Sequence, residues 1–173
     1  MIKAVTAVFC TLCAPAAFAQ TETRVTNGQS FGAWQISCTA IAVGETACVL
    51  NQTLYRDTDN AFLAQMLAVW SSDGQKRYIL ARVPAGVYLP AGIAMRPANI
   101  EGEDKIVQMV WQSCINDVCE ALAEIDVDML SAFADDGVSV VASYQPSINA
   151  APIVFIFEMS GVLEGMDAVL PTP

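Results

Sequence analysis

Short runs of alternating apolar and polar residues, rich in β-branched and aromatic side chains, follow one another from Phe31 to Met159. A period of two is typical of strands with one buried face and one wet face. Turn residues separate the runs, with Gly44 after the first and Asp73-Gly74 between the third and the fourth. The pattern predicts about nine strands, over residues 31–38, 47–55, 65–71, 75–83, 87–95, 105–113, 119–125, 138–144 and 153–159.

Two segments have helical spacing instead of alternation. The first would be capped by Asp126 and ended by Gly137, and its apolar face comprises Val127, Leu130, Phe133 and Ala134. The second is stopped by Pro171, and its apolar residues are Val162, Leu163, Met166, Val169 and Leu170. With no internal repeat and no linker, the chain is predicted to form one compact antiparallel sandwich or barrel with two short helices.

The first nineteen residues have the three parts of a secretory signal peptide. Lys3 supplies a positive charge, the run from Ala4 to Ala17 is apolar but too short for a stable membrane-spanning helix, and the segment ends in small residues at Ala19. The polar stretch that begins at Gln20 argues against a membrane anchor. We therefore predict cleavage after Ala19, which leaves residues 20–173 as a single exported domain.

Cysteine usage fits an exported chain. Two of the six cysteines fall in the predicted signal peptide, and an even number remains, which implies disulfides. Three pairings are possible, but the short spacings favour local pairs between strands that are neighbours along the chain. We predict the disulfides Cys38–Cys48 and Cys114–Cys119. Neither spacing is a C-x-x-C motif, so a redox enzyme and a zinc site are both disfavoured.

The charge balance and the missing histidine narrow the function classes. The chain has 18 acidic against 8 basic residues and a formal net charge of −10, so nucleic acid and anionic lipid surfaces are poor partners. It contains no histidine, which removes imidazole metal sites and most schemes of general-base catalysis. We expect no cofactor, no bound metal and no enzymatic activity.

Ser30 is the centre of Gly28-Gln29-Ser30-Phe31-Gly32, which matches the nucleophile elbow of serine hydrolases. That elbow needs a base and a helix after the serine, whereas this chain has no histidine and a predicted strand follows. A catalytic Ser30 is therefore not expected.

Carboxylates are the remaining candidates for chemistry. The acidic turns at 57–60 and 101–104 lack the glycine and the distal glutamate of an EF-hand calcium loop, so solvated turns are predicted. Glu120 and Glu124 share one parity and are predicted to lie on the wet face of a strand. A glycosidase would need two carboxyl groups converging across a cleft, which we do not expect.

Several motifs then occur in a set order along the chain: Gly32-Ala33-Trp34, Cys38, Cys48, Gln52, the segment 84–92, Trp111-Gln112-Ser113-Cys114, Cys119-Glu120-Ala121, Met129-Leu130, Pro152-Ile153 and Ser160-Gly161. This order resembles the invasion-associated locus B family of exported bacterial proteins over almost all of residues 20–173. The resemblance implies an all-β, antiparallel Ig-like β-sandwich, in the periplasm or at the outer surface of a Gram-negative cell. The chain departs from the family pattern at Val118, where a glycine is usual, and at Val162, where an aromatic residue is usual; these changes alter a turn and a packing position.

Two functional hypotheses follow. The resemblance and the lack of a catalytic set favour a non-enzymatic interaction protein that is periplasmic, secreted or associated with the outer membrane, with an envelope or host protein as its partner. The alternative is a periplasmic carrier or sensor of a small apolar ligand, suggested by the methionines Met66, Met95, Met109, Met129, Met159 and Met166. Core packing is the predicted role of the three tryptophans, rather than stacking on sugar rings.

Overall fold

The computed structural model describes residues 25–43, 45–99, 105–134 and 139–171. These residues contain ten strands: β1 (Ser30–Phe31), β2 (Trp34–Ala42), β3 (Glu45–Tyr55), β4 (Phe62–Trp70), β5 (Arg77–Pro84), β6 (Ile93–Pro97), β7 (Val107–Ile115), β8 (Val118–Glu124), β9 (Ser139–Tyr144) and β10 (Ile153–Glu158). They also contain two α-helices, α1 (Val127–Ala134) and α2 (Val162–Ala168). The predicted signal peptide, Gly44, the acidic turn at 101–104 and the predicted helix stop at Gly137 lie outside the described residues.

The strands form one antiparallel ladder in the order β1-β2-β3-β4-β5-β8-β7-β6-β9-β10. Strand β7 belongs to both halves of this ladder, because residues 107–109 pair with β6 and residues 110–115 pair with β8. A register shift between Trp111 and Ser113 lies in the second half of the strand, and such irregularities bend a strand. The result is a larger sheet of β1–β5, β8 and the end of β7, and a smaller sheet of β6, β9, β10 and the start of β7. The predicted all-β, antiparallel sandwich with two short helices is confirmed.

One apolar core connects the two sheets. Ile36, Leu50 and Met66 contribute to it from the larger sheet, and Val140 and Phe157 from the smaller sheet. Strands β5 and β8 alternate between buried and partly exposed residues along most of their length, as the period of two in the sequence predicts. Each fully buried side chain of this size stabilises the fold by about 1.5–3 kcal/mol, so the core is the main source of stability.

Both predicted disulfides are present, and each joins two consecutive strands. Cys38 on β2 lies opposite Cys48 on β3 and is bonded to it. Cys114 on β7 is bonded to Cys119 on β8 in the same way, across the turn at Asn116–Asp117. Both turn residues have positive φ, 52° and 63°, as a tight hairpin turn requires. Asn and Asp are among the residues that adopt this conformation most readily.

Two strand predictions are wrong in part. The run 31–38 is divided into β1 and β2 by a turn at Gly32, whose φ is 55°. The run 87–95 contains a 3₁₀ turn at Leu89–Ala91, and β6 begins only at Ile93. Pro90 has no N–H to donate to a ladder, and Gly92 has a φ of 65° and approaches the Met109 carbonyl oxygen too closely to carry a side chain.

Helix α1 begins as the sequence predicts. Asp126 Oδ1 accepts a hydrogen bond from the Met129 N–H at 2.7 Å, which satisfies one of the free donors of the first turn. Leu130 and Phe133 are buried, whereas Val127 is exposed and does not join the predicted apolar face.

Helix α2 is confirmed in position, and its Val162 and Met166 are buried. Gly165 of the same helix lies against the side chain of Leu50, where a larger residue would not fit. The helix therefore closes one end of the core.

Candidate functional site

A row of five polar side chains crosses the larger sheet at right angles to its strands. The row consists of Thr53, Gln65, Arg82, Glu120 and Ser113, which are cross-strand neighbours on β3, β4, β5, β8 and β7. Hydrogen bonds link every neighbouring pair: Gln65 Nε2 donates to Thr53 Oγ1 (3.2 Å), Arg82 Nη1 to Gln65 Oε1 (3.4 Å), Arg82 Nε to Glu120 Oε1 (2.6 Å), and Ser113 Oγ to Glu120 Oε2 (3.4 Å). We call this row the polar ladder.

The polar ladder lies on the outer face of the sheet because of strand alternation. Met66, Ala81, Val83 and Ala121 are sequence neighbours of ladder residues, and all four are buried in the core. The ladder residues therefore point the other way. The predicted wet-face position of Glu120 is confirmed, and Glu124, four residues further along β8, is exposed on the same face.

An open groove of about 410 Å³ lies over four of the five ladder residues. Its walls combine the ladder residues Gln65, Arg82, Ser113 and Glu120 with Phe62, Ile115, Asn116 and Val118. The turn between β7 and β8, clamped by Cys114–Cys119, holds Asn116 at the rim. The groove is open to solvent and does not enclose a cavity.

Charge in the groove is balanced locally. Arg82 and Glu120 form a partly exposed ion pair, with side-chain exposures of 40% and 29%. An exposed pair contributes only about 0–1 kcal/mol, but the pair and its neighbours hold each other in one orientation. The groove thus presents fixed donors and acceptors without a net charge.

An apolar row runs parallel to the polar ladder on the same outer face. Leu67, Leu80 and Leu122 lie opposite one another on β4, β5 and β8, and Val110 on β7 completes the row. Leu67 is buried although it does not belong to the core, whereas Val110 is 66% exposed. The outer face of the larger sheet is therefore a mixed surface, with an apolar row beside a polar one.

The predicted chemical candidates are not assembled into a catalytic set. Ser30 is exposed on β1 and pairs with Gln35 across a tight turn, so a second strand follows it where a nucleophile elbow has a helix. Among the described residues, no group of three or more His, Cys, Asp and Glu side chains is placed to hold a metal ion.

In the acidic turn at 57–60, the Asp59 carboxylate is engaged within the turn. It accepts hydrogen bonds from the Ala61 N–H at 3.1 Å and from Arg56 Nε at 2.9 Å. These bonds, the Ala61 backbone first, hold the pKa of Asp59 below its ordinary value. The carboxylate stabilises the turn itself.

The three tryptophans pack against the core. Trp34 is buried, and its Nε1 donates to the Glu158 carbonyl oxygen at 2.8 Å. Trp70 Nε1 donates to the Met166 carbonyl oxygen at 2.8 Å, and the Arg77 guanidinium lies 4.2 Å from the centre of the Trp70 ring. Trp111 also packs on the core, with its Nε1 buried and unpaired in the described part of the chain. The predicted packing role is confirmed for all three.

Most of the methionines that suggested a ligand cavity fill the core. Met66, Met95, Met109, Met159 and Met166 are at most 1% exposed and belong to the single core cluster. Their flexible side chains complete the packing between the sheets, and the described residues that line the groove include none of them.

Sequence reasoning found Glu120 but missed Gln65, Arg82 and Ser113. The sequence does mark two of these residues, because Gln65 and Arg82 are polar residues inside the apolar runs of β4 and β5. Their significance depends on strand neighbours that are distant in sequence. The sequence placed Gln52 in a motif without a role. In the structure its inward-facing side chain forms hydrogen bonds with the backbone of Ala33 and Glu158.

Comparisons with known proteins give one family. The family model described as "Invasion associated locus B (IalB) protein" matches residues 34–170, which include both disulfides, the polar ladder and both helices. No curated protein and no solved structure matches the chain. Within the described residues, none of the helices is both long enough and apolar enough to span a membrane.

Proposed function

The chain belongs to the Invasion associated locus B (IalB) family, and from that membership and its outer sheet face we propose that it is an exported, non-enzymatic interaction protein of the bacterial envelope. It would act in the periplasm, as a secreted protein or in association with the outer membrane, and its partner would be an envelope or host component. The observation that carries this proposal is the groove over the polar ladder, set beside an apolar row that is exposed at Val110. Recognition surfaces commonly combine such polar and apolar parts.

The disulfides support export. Both bonds join neighbouring strands, and such bonds persist in oxidising compartments. The apolar N-terminal segment with small residues at Ala17 and Ala19 supplies a route out of the cytoplasm.

The pairing of charges supports a non-enzymatic role. The Glu120 carboxylate is hydrogen-bonded to Arg82 and Ser113, and among the described residues no second carboxylate lines the groove. A general acid of the glycosidase type requires a carboxyl group in an apolar pocket facing another one.

Cell fractionation and intact-mass measurement test the export. The expected result is a protein found outside the cytoplasm, beginning at Gln20 and containing four oxidised cysteines. An Ala19→Asp variant is the matched control, since a charged residue at the cleavage position should leave the precursor uncut. A full-length protein with reduced cysteines in the cytoplasm would overturn this part of the proposal.

Site-specific photo-crosslinking in cells tests the interaction surface. A photoreactive phenylalanine analogue replaces Ile115, which lines the groove and is 65% exposed, and in a control it replaces Glu164 on the exposed side of α2. We expect a discrete adduct from position 115 and none from position 164. Equal labelling at both positions, or none at either, would count against the groove as a recognition site.

A further inference from the structure

The groove offers hydrogen-bond donors and acceptors that its own network leaves unused. Arg82 has five N–H groups, and two of them are used by Glu120 and Gln65. Glu120 accepts one bond at each oxygen and has further lone pairs. The Asn116 side chain makes no hydrogen bond within the described part of the chain, and its backbone is held at the rim by the tight turn.

The Arg82–Glu120 ion pair disfavours charged ligands in the groove. An anionic ligand near Arg82 would also face Glu120 and a chain with a net charge of −10, and a cationic ligand near Glu120 would face Arg82. A neutral ligand with many donors and acceptors meets neither penalty.

Apolar side chains lie beside these polar groups. Phe62, Ile115 and Val118 form the remaining wall of the groove, and Phe62 supplies an aromatic ring. Sugar rings have the matching composition, since each hydroxyl is both donor and acceptor while the C–H faces pack on apolar or aromatic surfaces.

The groove is formed by the face of the sheet and not by its edge. A peptide that added as a strand would need free backbone groups, whereas β4, β5 and β8 are paired on both sides. Recognition here depends on side chains held by cross-strand neighbours. We propose that the groove binds a neutral saccharide, an inference that rests on the proposed recognition role of this site.

The test is an NMR titration of the full chain, purified with both disulfides formed and labelled with ¹⁵N. The probes are cellobiose, maltotriose and N,N′-diacetylchitobiose, each compared with glutamate and with a capped tetra-alanine peptide. We expect at least one saccharide to give saturable shifts at Arg82 Nε and at the Gln65 and Asn116 side-chain amides, and we expect none from glutamate or the peptide.

Three variants locate the effect. Arg82→Met removes the ladder cation, Phe62→Leu removes the ring, and Asn116→Gly removes the rim amide while keeping a residue suited to positive φ. Each should weaken saccharide binding at least about tenfold, or about 1.4 kcal/mol. Lys76→Met is the matched control, because Lys76 forms an exposed ion pair with Glu124 at 2.9 Å on β8, outside the groove.

The outcomes are distinct. Absence of shifts with all three saccharides, shifts outside the groove, or shifts with the peptide alone would overturn the saccharide inference. If photo-crosslinking at position 115 nevertheless gives a discrete adduct, the proposed interaction role stands and only the saccharide inference fails. If a saccharide binds in the groove but no adduct forms at position 115, the saccharide inference stands and the proposed protein partner at this groove is contradicted.

Discussion

The side chain of Gln52 on β3 clasps the backbone of Glu158 on β10. Gln52 Oε1 accepts a hydrogen bond from the Glu158 N–H at 3.1 Å, and Gln52 Nε2 donates to the carbonyl oxygens of Ala33 at 3.0 Å and Glu158 at 3.5 Å. Trp34 Nε1 donates to the same Glu158 carbonyl at 2.8 Å. These bonds join the larger sheet to the edge strand of the smaller one.

Replacing Gln52 by alanine should therefore destabilise the fold. The variant leaves the Glu158 N–H without its partner, and an unsatisfied partly buried donor costs about 1–3 kcal/mol. Chemical denaturation measures the free energy of unfolding. Gln35→Ala is the control, because within the described residues the exposed Gln35 amide makes a single bond, to Gly28. Equal losses for the two variants would show that the clasp has no special role.

Gly161 is expected to tolerate no side chain. It has a φ of 83°, and a Cβ atom there would overlap the Phe31 carbonyl, while a Cβ at Gly32 would overlap the Ser160 carbonyl. Backbone strain and forced displacement together should make Gly161→Ala lower the free energy of unfolding by about 2–5 kcal/mol. Thermal and denaturant melts measure this loss.

Gly28→Ala separates the two causes of that loss. Gly28 has nearly the same φ, 85°, but no described atom lies within 4 Å of the position that a Cβ would take there. Gly28→Ala should therefore lower the free energy of unfolding only by the part due to backbone strain, about 1–2 kcal/mol. A loss as large as that of Gly161→Ala would contradict the close backbone approach.

The Cys38–Cys48 disulfide is expected to hold an exposed arm. The described residues of 39–43 and 45–47 are all exposed, and Val43 at the tip is fully so, with a relative accessibility of 105%. An isolated two-stranded hairpin is marginally stable in water. In a Cys38→Ser/Cys48→Ser variant, amide hydrogen exchange should rise in residues 39–47, and the global stability should fall by about 3 kcal/mol.

The second disulfide provides the comparison for that experiment. Removing Cys114 and Cys119 should raise exchange at the turn between β7 and β8 and leave the arm unchanged. If either variant loosened both regions equally, the disulfides would act only on global stability.

Protonation of Asp59 should release the turn at 57–60. Its pKa lies below the ordinary value of 3.8, chiefly because of the Ala61 backbone bond and then the Arg56 side chain. A lowered pKa means that the contribution to stability is present above the unfolded-state pKa and is lost as the pH falls through the folded-state pKa. Carboxyl carbon NMR follows this titration.

Arg56→Gln should raise the pKa of Asp59 toward its ordinary value, because the Arg56 hydrogen bond and the Arg56 charge both lower it. Asp73 is the internal reference, because its pKa is lowered mainly by the Ser71 hydroxyl and should not respond. An unchanged pKa of Asp59 in the variant would show that Arg56 does not lower it.

Local features of this protein follow from the sequence alone. Alternation placed Glu120 on the wet face of β8, cysteine spacing gave the pairs Cys38–Cys48 and Cys114–Cys119, and Asp126 marked the start of α1. Each depends on residues that are close along the chain, where side-chain direction and turn geometry leave few alternatives.

Features that join distant segments were decided by the tertiary structure. Arg82 meets Glu120 because β5 pairs with β8, and the clasp joins Gln52 to Glu158 across 106 residues. A period of two reports which face of a strand is buried, but it does not report which strand lies beside it. That choice comes from the burial of the shared core, so the groove over the polar ladder exists only in the folded chain.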